Sequence, residues 1–196
     1  MVNQMRRAIR AVTSRVLQWH RVVLYRLMSS NSIEGSLRRY QPVQCVGKGK
    51  IVVGADVSIG VFPSPLFFSS YAYLEARNSS ATIRIGSGTW INNNFSAIAD
   101  HTSIVIGSRC RIGASVEIMD SDFHGIKVEE RGLSRPEWAR PVCIGDDVFI
   151  GSNVKIMKGV TIGAGSTVAN GSIVCKDIPA GAVAGGNPAR VIRTIA

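Results

Sequence analysis

Residues 144–179 read IGDDVF-IGSNVK-IMKGVT-IGAGST-VANGSI-VCKDIP. Six units of six residues follow one another without a gap, and each opens on Ile or Val. The second position is usually Gly or another small residue, and the fifth is Val, Ser or Ile in most units. A unit of this length accommodates one short strand and one sharp turn. The aliphatic first residue points inward and stacks on its equivalent in the next coil, and the small residue beside it is expected to tolerate the corner. Three units close a triangular coil, and successive coils stack about 4.8 Å apart as parallel strands.

The same frame extends towards the N-terminus. Ile106, Ile112 and Ile118 open IGSRCR, IGASVE and IMDSDF, while Ile85 and Ile91 open IGSGTW and INNNFS. The unit from Ala97 to Val105 is three residues longer, and looser copies run from Val53 to Ser58 and from Ile59 to Ser64. An alternating-strand sandwich would repeat by two, not by six. The expected fold is therefore an all-β solenoid over residues 45–195. Two segments break the repeat. Residues 65–82 read as irregular. Residues 124–141, HGIKVEERGLSRPEWARP, are charged and contain two prolines, so they are expected to protrude as a loop. A long excursion from a regular solenoid marks a functional surface.

Composition agrees with a turn-rich fold, with 20 glycines and only 7% aromatic residues. The formal charge is +10, but residues 1–40 hold eight arginines against one acid, Glu34. The rest is nearly balanced, which argues against a nucleic-acid-binding body. Residues 5–28 have helical spacing, with Met5, Ile9, Val12, Val16, Trp19, Val23 and Leu27 recurring every three or four positions. Two readings stand side by side: a helix packed on its own domain or a neighbouring subunit, and a helix lying on the inner face of a membrane. Near anionic lipid each arginine adds about 1 kcal/mol. The longest early apolar run, Val22 to Tyr25, is too short to span a bilayer. Residues 29–44 read as a linker, which makes 1–44 an appendage to the repeat domain. Cys45, Cys110, Cys143 and Cys175 form no CxxC pair. With no secretory signal in view, free thiols in a reducing cytoplasm are expected.

The hexads, Trp90-Ile-Asn-Asn-Asn-Phe-Ser96, Asp120-Ser-Asp-Phe-His124 and the ending Lys176-Asp-Ile-Pro179 … Gly185-Gly-Asn-Pro-Ala-Arg-Val-Ile192 together resemble the hexapeptide-repeat acetyltransferases. The similarity is to the branch of maltose, galactoside and capsular-polysaccharide O-acetyltransferases, and it covers about residues 45–195. It implies a left-handed parallel β-helix, although parallel connections generally prefer the right hand. It also implies a homotrimer with active sites between subunits, and acetyl-CoA as co-substrate. The implied reaction is acetyl transfer to a sugar hydroxyl in bacterial surface-polysaccharide biosynthesis.

On this resemblance His124 is the general base, a role that suits a group titrating near neutrality. Asn92 and Asp100 match acceptor-site positions, and Asp120 or Asp122 is expected to orient the histidine ring. Trp138 stacks on the sugar or the pantetheine arm, or else anchors the loop. A backbone N–H at Gly151 or Ser152 would meet the oxyanion. The pantetheine arm runs past Ser152 and Asn170, while Lys176, Arg190 and Arg193 approach the CoA phosphates. Three other readings remain. Transfer to a nucleotide-linked amino sugar keeps the chemistry but changes the acceptor. A non-catalytic β-helix scaffold would need no base. A zinc-dependent carbonic anhydrase on the same fold needs three histidines, and only His101 and His124 lie in the coils, so no metal site is expected.

Overall fold

The computed structural model describes residues 2–195. It begins with helix α1 (Val2–Leu27) and continues almost entirely in short strands. These fall into three ladders. The first runs from the start of β3 (Lys50–Ile59) through β5 (Thr82–Ile85), β8 (Ser103–Ile106), β11 (Val142–Ile144) and β14 (Thr161–Ile162). The second runs from the end of β3 through β6 (Trp90–Ile91), β9 (Arg111–Ile112), β12 (Phe149–Ile150), β15 (Thr167–Val168) and β17 (Ala182–Gly186). The third joins β2 (Val43–Gly47), β4 (Ala72–Ala76), β7 (Ser96–Ala99), β10 (Glu117–Met119), β13 (Lys155–Ile156) and β16 (Ile173–Val174). All these pairings are parallel. β3 bends from the first ladder into the second and so joins them into one twelve-stranded sheet, while the third is a separate six-stranded sheet.

Register follows the hexads. Cys143 pairs with Thr161, Phe149 with Thr167 and Lys155 with Ile173, each eighteen positions on. The first residue of every hexad therefore meets its own kind. Ile85, Ile106, Ile144 and Ile162 form one column, and Ile91, Ile112, Ile150 and Val168 a second. Ala97, Ile118, Ile156 and Val174 form the third. All are buried, and a fully buried aliphatic side chain contributes roughly 1.5–3 kcal/mol.

The corner is built differently from the expectation. The left-handed residue is the fourth of the hexad, as at Asp147 (φ 58°), Asn153 (φ 59°) and Gly165 (φ 67°). The glycine in second position answers a different need, close approach. A Cβ on Gly145 would stand 2.6 Å from the Ala164 nitrogen of the next coil, and one on Gly107 would stand 2.5 Å from the Gly145 carbonyl carbon.

Three further expectations are corrected. The supposed linker contains β1 (Ile33–Arg39), which pairs in parallel with β3, so sheet pairing begins at Ile33 and the boundary at residue 44 falls inside hydrogen-bonded structure. The segment 65–82 holds β4, whose Leu74 packs in the third column. Helix α1 packs on its own domain only through its C-terminal half, where the Tyr25 ring lies 4.8 Å from the Tyr71 ring and Val23 is half-buried, while most of the apolar stripe faces away. It is held by Gln18, whose Nε2 donates to the Phe67 carbonyl at 2.8 Å, and by Arg21, which donates to the carbonyls of Phe67 (3.2 Å) and Ser70 (2.7 Å). Met5, Val12, Val16, Trp19 and Leu27 are exposed. The side chains of Arg6, Arg7, Ile9, Arg10 and Arg15 lie outside the described residues.

Candidate active site

At the corner between the second and third ladders, the second and third residues of successive hexads stack into a groove of about 280 Å³. It contains four of the residues singled out above, Asn92, Gly151, Ser152 and Asn170, with Trp90, Arg111 and Phe149 along one wall. The three asparagines after Ile91 divide the labour. Asn94 takes the left-handed corner (φ 61°). Asn93 is buried and donates to the carbonyls of Val61 (3.1 Å) and Pro65 (2.8 Å), which pins the neighbouring loop. Asn92 accepts at Oδ1 from the Ser64 hydroxyl (3.0 Å) and the Asn93 N–H (2.7 Å). With its oxygen held from both sides, its Nδ2 is left as a donor to the groove. The left-handed turn position thus belongs to Asn94, and Asn92 keeps an amide N–H on the groove.

The oxyanion expectation is corrected here. The Gly151 N–H donates to the Val168 carbonyl at 2.8 Å, and the Ser152 N–H to Asn170 Oδ1 at 2.8 Å. Both are consumed by contacts between coils. The free donors of this wall are side-chain groups: the Nδ2 atoms of Asn92 and Asn170 and the Ser152 hydroxyl, whose oxygen accepts the Ala114 N–H at 3.1 Å.

The corner between the third and first ladders carries His124. There the chain leaves β10, makes the excursion through two short 3-10 turns at Val128–Glu130 and Pro136–Trp138, and returns at β11. His124 is exposed at the start of this loop, and its Nδ1 lies 3.0 Å from the Gly125 carbonyl. A carbonyl only accepts, so this bond requires the proton on Nδ1 and leaves the Nε2 lone pair outward. Neither aspartate orients the ring. Asp120 is buried and accepts the N–H groups of Asp100 (2.7 Å), His101 (3.3 Å) and Thr102 (2.7 Å), together with the Thr102 hydroxyl (2.8 Å). Asp122 pairs with Lys158.

Asp100 does not face a groove. Its carboxylate is buried, accepts from Asn78 Nδ2 at 3.1 Å and is roofed by the Ser134 hydroxyl, with Arg77 at 3.5 Å. A carboxylate so enclosed ties the loop to the coils, so the acceptor contact expected of it is corrected to a positioning role. Trp138 packs over Gly125, where a Cβ would stand 2.9 Å from the indole, and the Arg135 guanidinium lies 5.2 Å above its ring. That geometry fits loop anchoring.

Lys176, Arg190 and Arg193 are exposed, and among the described residues none makes an ion pair. Arg190 and Arg193 lie on β18 (Ala189–Thr194), antiparallel to β17 at the end of the second ladder, the ladder of the Asn170 groove. Lys176 follows β16 and belongs to the His124 corner. Sequence reasoning missed the aromatic wall, although the frame held the signal. Trp90, Arg111 and Phe149 are the sixth residues of the hexads that open at Ile85, Ile106 and Ile144 and lie outward on the second-ladder strands, and Arg111 stacks 5.5 Å above Trp90. Among the described residues no group of three His, Cys, Asp or Glu is positioned to hold a metal ion.

Residues 144–176 match the family described as bacterial transferase hexapeptide (six repeats), and residues 103–131 match the hexapeptide repeat of succinyl-transferase. The chain is 37% identical over 136 residues to nodulation protein L of Rhizobium meliloti, covering 69% of this chain and 68% of that one. It belongs to the hexapeptide-repeat transferase family. Another relative in curated sequences is the polysialic acid O-acetyltransferase of Escherichia coli, 40% identical over 109 residues. Among solved structures, the polysialic-acid-specific acetyltransferase NeuO superposes with a TM-score of 0.58 at 30% identity, covering 82% of this chain and 72% of that one. The chain spans 58% and 35% of the length of two curated relatives it matches. The N-terminal of the two matched segments runs into the charged loop as far as residue 131, and the hexads at 85–96 lie ahead of both matches.

Proposed function

We propose that this hexapeptide-repeat protein transfers an acetyl group from acetyl-CoA to a sugar hydroxyl, with His124 as general base, in the assembly of a surface polysaccharide. The observation that carries the reading is the Gly125 carbonyl on His124 Nδ1, because it leaves Nε2 ready to take a proton. In the reaction the acceptor oxygen forms a bond to the thioester carbonyl carbon as its proton passes to Nε2. The tetrahedral intermediate then collapses with cleavage of the C–S bond, and the proton leaves with the thiolate as CoA-SH. The Nδ2 groups of Asn92 and Asn170 are the donors for the acceptor hydroxyl and the thioester side. Arg190 and Arg193 extend the same ladder towards the phosphates, with Lys176 as a further cation.

The strands visit the three ladders in strict rotation, and NeuO shares their arrangement. This supports a left-handed parallel β-helix. The groove and the histidine stand on different corners of one chain, which favours a homotrimer whose site is closed by a neighbouring subunit. The names of two relatives, both polysialic acid acetyltransferases, support a carbohydrate acceptor. The reaction would take place in the cytoplasm, where acetyl-CoA is made.

The test is release of CoA-SH from acetyl-CoA over a panel of sugars, amino sugars, nucleotide sugars and oligosaccharides. A hydroxyl acceptor that turns over with the wild type and not with His124→Ala supports the reading. Turnover only with free amines would move the activity to N-acetylation, and none with any acceptor would leave a scaffold.

A further inference from the structure

Helix α1 holds six arginines and no acidic residue over Val2–Leu27. Its orientation is fixed by the polar side, through Gln18 and Arg21 against the loop at Phe67. The apolar stripe is thereby turned outward, with Trp19 67% and Leu27 79% exposed. No helix is long and apolar enough to cross a membrane. A second copy of this helix would be a poor cover for the stripe, because it would bring cation to cation with no acid on either helix. An anionic lipid surface answers both features, since the stripe enters the acyl boundary while the net positive charge of the helix is drawn to the headgroups.

A second observation stands at the C-terminal end of the same helix. Arg26 and Arg39 converge on a pocket of about 240 Å³ that also includes Ser29, Asn31, Ser32 and Cys45. Among the described residues neither arginine makes an ion pair. Burial, above all, holds the Arg39 guanidinium below its ordinary value; Cys45 opposes this and the nearby Arg26 charge adds to it. Two like charges facing a shared cavity call for an anion between them.

We propose that α1 docks the protein on an anionic membrane surface, with Val16, Trp19 and Leu27 in the lipid interface and the Arg26–Arg39 pocket seating a lipid phosphate. This goes beyond the acetyl-transfer reading and does not depend on it.

The experiment is co-sedimentation of the full chain with vesicles of phosphatidylcholine alone and of phosphatidylcholine mixed with phosphatidylglycerol. Binding should require phosphatidylglycerol and weaken with salt. Val16→Glu with Trp19→Glu should abolish it, and Arg26→Ala should weaken it about fivefold, the worth of one arginine at such a surface. Light scattering should give the same oligomeric state for all variants, and the doubly substituted protein should keep its turnover with a water-soluble acceptor. A wild type that ignores the vesicles overturns the proposal. So does a change of oligomeric state in the stripe variant, which would assign the face to another copy of the chain. Inorganic phosphate competes for the same seat, so at matched ionic strength it should weaken vesicle binding of the wild type more than chloride does and leave Arg26→Ala unaffected; equal effects of the two anions on the wild type would overturn the pocket's lipid role.

Discussion

His124 is exposed, and its one structural bond runs to the carbonyl of the next residue. Replacing it by Ala should therefore leave the melting temperature unchanged and lower turnover by about 10²–10⁴-fold, the usual worth of a general base. Asn92 allows a finer cut. Asn92→Asp keeps an oxygen for Ser64 and the Asn93 N–H but removes the Nδ2 donor. Turnover should fall about tenfold, the worth of one hydrogen bond, with stability retained; unchanged kinetics would remove Asn92 from the acceptor site. The four thiols should also separate. Burial pushes the Cys45 thiol up to about 11 and raises that of Cys110, while Cys143 and Cys175 are exposed. A raised thiol pKa means less thiolate at pH 8. A disulfide reagent at that pH should titrate Cys143 and Cys175 quickly, and Cys45 and Cys110 only after unfolding.

Six-residue periodicity made the strands, their registers and the inward columns legible, because each rests on side chains that repeat in the sequence. What stayed hidden depends on contacts between coils. The second-position glycine reads as a corner residue, yet the left-handed residues are the fourth, such as Asp147, Asn153 and Arg109 (φ 57°). Two substitutions separate these roles. Gly145→Ala drives a Cβ against the Ala164 backbone and should cost about 1–3 kcal/mol or more, the range for overpacking. Gly165→Ala meets nothing within 4 Å and should cost about 1–2 kcal/mol, the left-handed penalty. Chemical denaturation should rank them in that order. Asp120 was equally hard to read. Proximity in sequence suggested a partner for His124, whereas its carboxylate closes the turn at Asp100–Thr102, a contact across nearly twenty residues. Asp120→Ala would strand the buried Asp100 N–H and the half-buried N–H groups of His101 and Thr102, and should destabilise by about 3 kcal/mol.

At the scale of the whole molecule the two halves of the proposed site are divided by topology. Asn92, Ser152 and Asn170 stand on the corner after the second ladder, and His124 on the corner after the third. The hexads alone do not show this, since every corner shares the same repeat. The division makes a demanding prediction. His124→Ala chains keep an intact groove, and Asn92→Asp chains keep an intact base. If each site takes its histidine from one subunit and its groove from the next, mixing the two impaired variants in equal amounts creates some seams with both halves whole. Random assembly into closed trimers makes about a quarter of the seams competent, because each half is intact with even odds. Co-expressed chains should accordingly recover about a quarter of the wild-type turnover per subunit, while separately purified variants mixed without exchange keep about a twentieth, nearly all of it from the Asn92→Asp protein. A co-expressed pair no more active than the unexchanged mixture would require the groove and the histidine to meet within one chain.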